Sequence, residues 1–258
     1  MGEECPIERS TRFRAVFAND IIAGLPGLTT NARLLTSLKN ELPLLAEAAP
    51  DPLLEALEQL LEGNGKAIRP IFNEIGGLVF PRSEHTGVLW ALETVAWHPD
   101  YFRRASLILA GLAKIDPGGT ISNRPINSLV EIFVPWKPST NASPEARLSV
   151  LDEIINRYPD IGWQLICRLL PEETRISSGT ARPTLREAAT APPAVITYAA
   201  FWAAQREIIR RAIVLATDHP ARARELIRPL MGFPKNERVH ALAFIEHELC
   251  RKVGDGVE

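Results

Sequence analysis

The chain has 258 residues, a formal net charge of −2, 46% hydrophobic residues and 23% charged residues. That length suits one large domain or two small ones, and the apolar share can fill a sizeable core. A charge so close to neutral gives no global argument for nucleic acid or an anionic membrane as partner.

The first sixteen residues hold no apolar core of signal-peptide length. No run approaches the ~18 uninterrupted apolar residues of a spanning helix, so a cytoplasmic protein without a membrane partner is expected. Cys5, Cys167 and Cys250 are odd in number and far apart, which supports neither a disulfide framework nor a zinc site. Cys167 and Cys250 lie in helical apolar patterns and are expected as buried free thiols. Asn141-Ala142-Ser143 matches a glycosylation sequon, which means little without a secretory signal.

Residues 1–30 are ambiguous. Phe13, Val16, Phe17, Ile21 and Ile22 have helical spacing before Gly24-Leu25-Pro26-Gly27, as a helix or as the trailing edge of something upstream. A helical core is expected over 31–170. Asn31 caps a helix with Leu34, Leu35, Leu38 and Leu42 on one face, and Pro43 kinks it or starts a new turn. Leu44 and Leu45 carry the apolar face to Ala49. Asp51 is the expected N-cap of the next helix, with Pro52 first inside it and Gly63-Asn64-Gly65 ending it. Lys66 to Ile75 is a short helical pattern, and Val79-Phe80-Pro81 an extended connector.

Thr86 is the expected cap of a helix lined by Val88, Leu89, Leu92, Val95 and Ala96. Pro99 opens its partner, which ends at Asp116-Pro117-Gly118-Gly119. Pro125 to Val134 forms a shorter helix that Asn123 can cap, and Pro135 and Pro138 stop it. Ser143-Pro144-Glu145 is a cap, a first residue and an acidic first turn, and Pro159 opens the return helix. Residues 171–193 are polar and Pro-rich, a linker or long surface loop. In the C-terminal part, 194–258, helical patterns cover Ala194 to Ala216, Pro220 to Leu230 and Asn236 to Val253.

One pattern recurs: an apolar helix, a proline, a second apolar helix. The junctions fall at Pro50, Pro99, Pro159 and Pro220, about 50 to 60 residues apart. Each connection is too short for anything but a tight antiparallel hairpin. Four hairpins in series predict an all-α fold of stacked helical hairpins, an α-solenoid of the HEAT or TPR kind with long inserted loops at 116–143 and 171–193. The alternative is a globular all-α bundle with coincidental proline spacing.

No catalytic constellation stands out, and no cofactor is called for. His240 and His247 are seven apart, whereas a helical zinc pair needs i and i+4, so a solvated His/Glu face with Glu246 and Glu248 is expected. Gly63-Asn64-Gly65-Lys66 lacks the full phosphate-loop pattern. Two groups are candidates for binding. Asn123, Arg124 and Asn127, with Trp136 beyond them, form a polar knot in which a rigid guanidinium fork either tethers the inserted loop or clamps a ligand. Arg206, Arg210, Arg224 and Arg228, with Arg211 and Arg222, could hold phosphates, although Glu207, Asp218 and Glu225 are interleaved with them.

The ordered set HTGVLWALE, AWHPDYF, LAKIDPGG, NRPINSL, EIFVPW, NAS and IGWQLICRLLP resembles a segment of very large bacterial antiphage-defence proteins. These join a sirtuin-like or nuclease-like effector, or a STAND-type NTPase, to a long helical-repeat tail that senses the invader. The likeness covers about Leu45 to Arg186. It implies structural roles for Trp90, Trp97, Pro99, Asn123, Arg124, Pro125, Pro135, Trp136 and Trp163, and that the chain is part of a longer protein. Where the family has a His-x-Pro-x-Trp-like stretch, this chain has Ala181-Arg182-Pro183-Thr184-Leu185-Arg186 without the Trp, so no shared role is carried over there. The expectation is a non-catalytic module for protein interaction or sensing. The alternative is a nucleic-acid-binding helical domain using Arg206 to Arg228.

Overall fold

The computed structural model describes residues 16–74, 83–171, 176–185 and 195–254. Its described residues are helical or irregular, with no strand. The short helix α1 covers 16–23, and α2 (Ala32–Ser37) begins at Asn31, whose carboxamide accepts from the Arg33 N–H at 2.9 Å. Then come α3 (Leu42–Ala48), α4 (Pro50–Gly65), α5 (His85–Ala96) and α6 (Pro99–Ile115). They are followed by α7 (Pro125–Phe133), α8 (Pro144–Arg157) and α9 (Pro159–Leu169). The C-terminal part holds α10 (Tyr198–Ala216), α11 (Pro220–Glu225) and α12 (Lys235–Gly254).

All four junction prolines are the first residue of a helix. Proline suits that position because its fixed φ is already helical and its missing N–H would have had no intrahelical acceptor. Ser143 caps α8 as expected, and Thr197 caps α10, which starts four residues later than the apolar pattern suggested.

Other boundaries differ. Asp51 is not a cap: α4 starts at Pro50 and Asp51 lies in its first turn, where a carboxylate complements the helix dipole. Thr86 does not cap α5, which begins one residue earlier, and Asn123 does not cap α7, whose N-cap is Arg124 without a side-chain bond. Residues 66–72 form turns and a 3₁₀ stretch (Arg69–Phe72), because Pro70 removes an N–H that a longer helix would need. The helix expected over 220–230 stops at Glu225, and a second 3₁₀ stretch covers Arg228–Gly232 around Pro229. The connector at Val79-Phe80 lies outside the described residues.

The helices pack neighbour on neighbour. α3 lies on α5 and α4 on α6, so the first helices of two successive hairpins meet, and so do the second. α7 extends the α3–α5 layer by packing on α5, and also touches α6 and α9. α8 and α9 form the next hairpin, α10 packs on α9, and α11 and α12 close the chain. One continuous core runs from Ile22 to Ile245, with Leu35, Leu54, Leu89, Leu109, Phe102 and Phe233 fully buried. Each such side chain contributes about 1.5–3 kcal/mol of burial. Gly87 marks the closest approach: a Cβ there would strike the Lys39 carbonyl and lie 2.9 Å from the Lys39 Cα.

Arginine–carboxylate ties link neighbouring hairpins. Arg104 on α6 reaches Asp51 and Glu58 on α4, Arg103 reaches Glu153 on α8, and Arg211 on α10 reaches Asp152 on α8.

Candidate functional site

Three glutamates stand alone in apolar helical surroundings: Glu47 on α3, Glu93 on α5 and Glu131 on α7. Glu47 and Glu93 are only 5% and 6% exposed. A carboxylate so placed is costly unless its oxygens are hydrogen-bonded. Here a non-helical stretch of the same chain, residues 176–185, supplies the donors.

This strap crosses the three helices in reverse order. The Gly179 N–H donates to Glu131 Oε2 at 2.8 Å, beside the Ser177 hydroxyl at 2.6 Å. The Ala181 N–H donates to Glu93 Oε2 at 2.8 Å, while the buried Ser128 hydroxyl occupies Oε1 at 2.6 Å. Glu47 takes two consecutive N–H groups, that of Thr184 on Oε2 at 2.9 Å and that of Leu185 on Oε1. The strap is irregular chain: Gly179 has φ +78°, and the consecutive N–H groups of Thr184 and Leu185 turn to one carboxylate within a bend.

Side chains fix the register at the middle of the strap. The Trp97 indole N–H donates to the Ala181 carbonyl at 2.9 Å and to the Thr180 hydroxyl at 3.1 Å. The Arg182 guanidinium lies over the Trp97 ring, 4.4 Å from its centroid. Pro183 is buried and borders a cleft with Ala46, Pro50, Thr94, Val95, His98 and Tyr101. Having no N–H, Pro183 leaves no donor unpaired in that cleft. Desolvation raises the Glu93 carboxyl above its ordinary value, against the opposing bonds from Ser128 and Ala181 and with a further push from Glu131.

The polar knot lies elsewhere, at the start of α5 and α7. Arg124 is 8% exposed, with its guanidinium donating twice to Asp116, 3.6 Å from Glu74, and over the Phe72 ring at 5.5 Å. Glu74 in turn accepts from the backbone of Thr120 and Ile121 and from the Thr120 hydroxyl, which holds its carboxyl below the usual range. Each of these contacts ties the 116–124 loop to the segment after α4 or to itself. The Asn123 carbonyl meets His85 Nε2 at 2.6 Å, and Asn127 donates to the Ser122 carbonyl. His85 Nδ1 is hydrogen-bonded to Ser83, whose hydroxyl also reaches the Ile71 carbonyl at 3.0 Å. His85 is fully buried, and this desolvation, aided by Arg124, pulls its pKa down. Trp136 is half-buried and meets Phe201 of α10 edge-on at 6.4 Å.

The arginines of α10 and α11 are mostly matched by acids. Arg210 and Arg211 both bind Glu207, Arg211 also binds Asp152, and Arg206 and Arg222 lie 4.0 Å from Glu237 and Asp160. Arg224 and Arg228 are exposed. Cys167 is half-buried and close to Glu225, and burial pushes its thiol up to about 12, leaving it protonated and inert. Cys250 is exposed, not buried as its apolar pattern suggested. His240 and His247 are exposed, but Glu248 on α12 is 3% exposed and accepts from the Asp218 N–H just before α11, so it is no part of a solvated face. Among the described residues no group of three or more His, Cys, Asp or Glu could hold a metal, and no helix is long and apolar enough to cross a membrane.

No family model, curated protein or solved structure matches this chain. Sequence reading singled out the knot and the arginines, and passed over Glu47, Glu93 and Glu131. A signal was present: each is a lone carboxylate in an apolar context (LLAEAA, WALETVA and SLVEIF), at a position a surface helix would give to an apolar residue.

Proposed function

We propose that this chain is a helical-repeat module of α-solenoid type for protein interaction or sensing, with no reaction of its own, carried within a larger bacterial protein. The stacking of α3 on α5 and α4 on α6 supports the repeat reading, since solenoid units bury their faces against neighbours. The resemblance to the sensing tails of antiphage-defence proteins points the same way. The observation that carries the binding role is the row of Glu47, Glu93 and Glu131, which holds a non-helical stretch of main chain by its N–H groups. Main-chain capture of this kind supplies affinity in peptide recognition, and pockets for chosen side chains supply selectivity.

The nucleic-acid alternative has less beneath it, because Arg206, Arg210, Arg211 and Arg222 each face a carboxylate. The test is selection of a displayed peptide library on the immobilised chain, with counter-selection on the Glu47→Ala, Glu93→Ala, Glu131→Ala triple variant. Enrichment of peptides that the folded triple variant no longer retains is the expected result. Enrichment indifferent to the three glutamates, or a salt-sensitive shift of short duplexes without any peptide enrichment, would overturn it.

A further inference from the structure

The carboxylate row is occupied by the chain's own residues 176–185. We propose that this strap is an internal stand-in for an external ligand. The α3–α5–α7 face binds, in trans, a peptide that carries an Arg-Pro pair and follows the strap's path, in competition with the strap. The inference rests on the reading of that face as a protein-binding site and names the class of ligand it takes.

Four observations carry it. The strap contributes little apolar burial: its large apolar side chains, Ile176 and Leu185, are 87% and 75% exposed. A segment kept permanently for stability would tuck these side chains in, since burial is the dominant favourable term. The strap is held instead by main-chain N–H groups at Gly179, Ala181, Thr184 and Leu185, which a peptide that adopts the same irregular path presents without particular side chains. Beyond the small hydroxyls of Ser177 and Thr180, the bulky side-chain contacts are at two adjacent positions, Arg182 over Trp97 and the buried Pro183. Finally, Glu93 is 6% exposed and needs a donor on Oε2, so one donor strand can exchange for another at no loss of hydrogen bonds.

Competition has a definite size. A tethered segment acts at an effective concentration on the order of millimolar, so it lowers the apparent affinity for a free peptide by that concentration divided by its own dissociation constant. Weakening the strap must therefore tighten binding in trans, the opposite of what loss of a structural element would do.

The experiment uses a fluorophore-labelled peptide of residues 176–185 and three forms of the full chain. These are the natural chain, a variant with 176–185 replaced by a Gly/Ser run of equal length, and the milder Arg182→Ala, Pro183→Ala double variant. Fluorescence anisotropy is expected to show about tenfold or tighter binding to the Gly/Ser variant than to the natural chain, with the double variant between them. The same peptide bearing alanine at both anchor positions is expected to bind at least about tenfold more weakly. Circular dichroism and a cooperative melt establish which variants are folded, and the double variant, altered at two strap residues, stands in if the longer replacement is not. Equal binding to the natural and the folded variant chains, or none to either, overturns the proposal. If library-selected peptides still depend on the three glutamates while the strap peptide does not bind, the interaction role stands and the stand-in role falls. If neither binds, both fall.

Discussion

Glu93 and His85 sit on one helix and are both buried, yet burial moves their protonation equilibria in opposite directions. Glu93 has its folded pKa raised above the ordinary 4.5, so its contribution is fully present below that pH and is lost as pH rises through the raised value. His85 has its folded pKa lowered from 6.5, so its contribution is present above pH 6.5 and is lost as pH falls through the depressed value. The two slopes oppose each other in the natural chain. Glu93→Gln removes one of them while keeping the bonds, because the amide oxygen can accept from Ala181 and the amide nitrogen can donate to Ser128. Thermal melts from pH 4.5 to pH 7.5 are expected to show the variant at least as stable as the natural chain at neutral pH. On acidification below pH 6.5 the variant is expected to lose stability more steeply. Parallel pH profiles for the two proteins would contradict this account.

At the scale of the helix, close packing is set by Gly87. A methyl group there meets backbone at Lys39, which cannot rotate aside as a flexible side chain would. Gly87→Ala is expected to cost about 1–3 kcal/mol, seen as a lower denaturant midpoint at unchanged slope, despite alanine's better helix propensity. The hairpin junctions were legible in the sequence because proline acts through its own ring: Pro50, Pro99, Pro159 and Pro220 open helices whatever surrounds them. The caps were less so, since Asp51, Thr86 and Asn123 are good capping residues whose positions were settled by where the preceding chain arrives. In the knot, Arg124 was legible as a fork in need of acceptors, but its partner Asp116, eight residues earlier, was not, because loop geometry brings the two together. The strap was not legible. An irregular segment held from outside has no periodicity of its own, and its partners lie on helices more than forty residues away in the chain.

For the molecule as a whole, the strap touches three helices, α3, α5 and α7, along one layer. Two kinds of polar link coexist. Arg103–Glu153 and Arg104–Glu58 join full charges at the solvent-exposed rim. The strap joins carboxylates to peptide dipoles and carries its one guanidinium over an aromatic ring. Ionic strength treats these differently. At about 1 M salt the screening length falls to about 3 Å, which quenches attraction between exposed ions but hardly reaches a charge–dipole bond within a buried contact. Trp97 emission, reporting the seated strap, is expected to stay constant across such a titration while the melting temperature drifts with the loss of the rim pairs. Occupancy of the α3–α5–α7 face would then be indifferent to salt, and its ligands would be told apart by shape and hydrogen bonding in any ionic milieu.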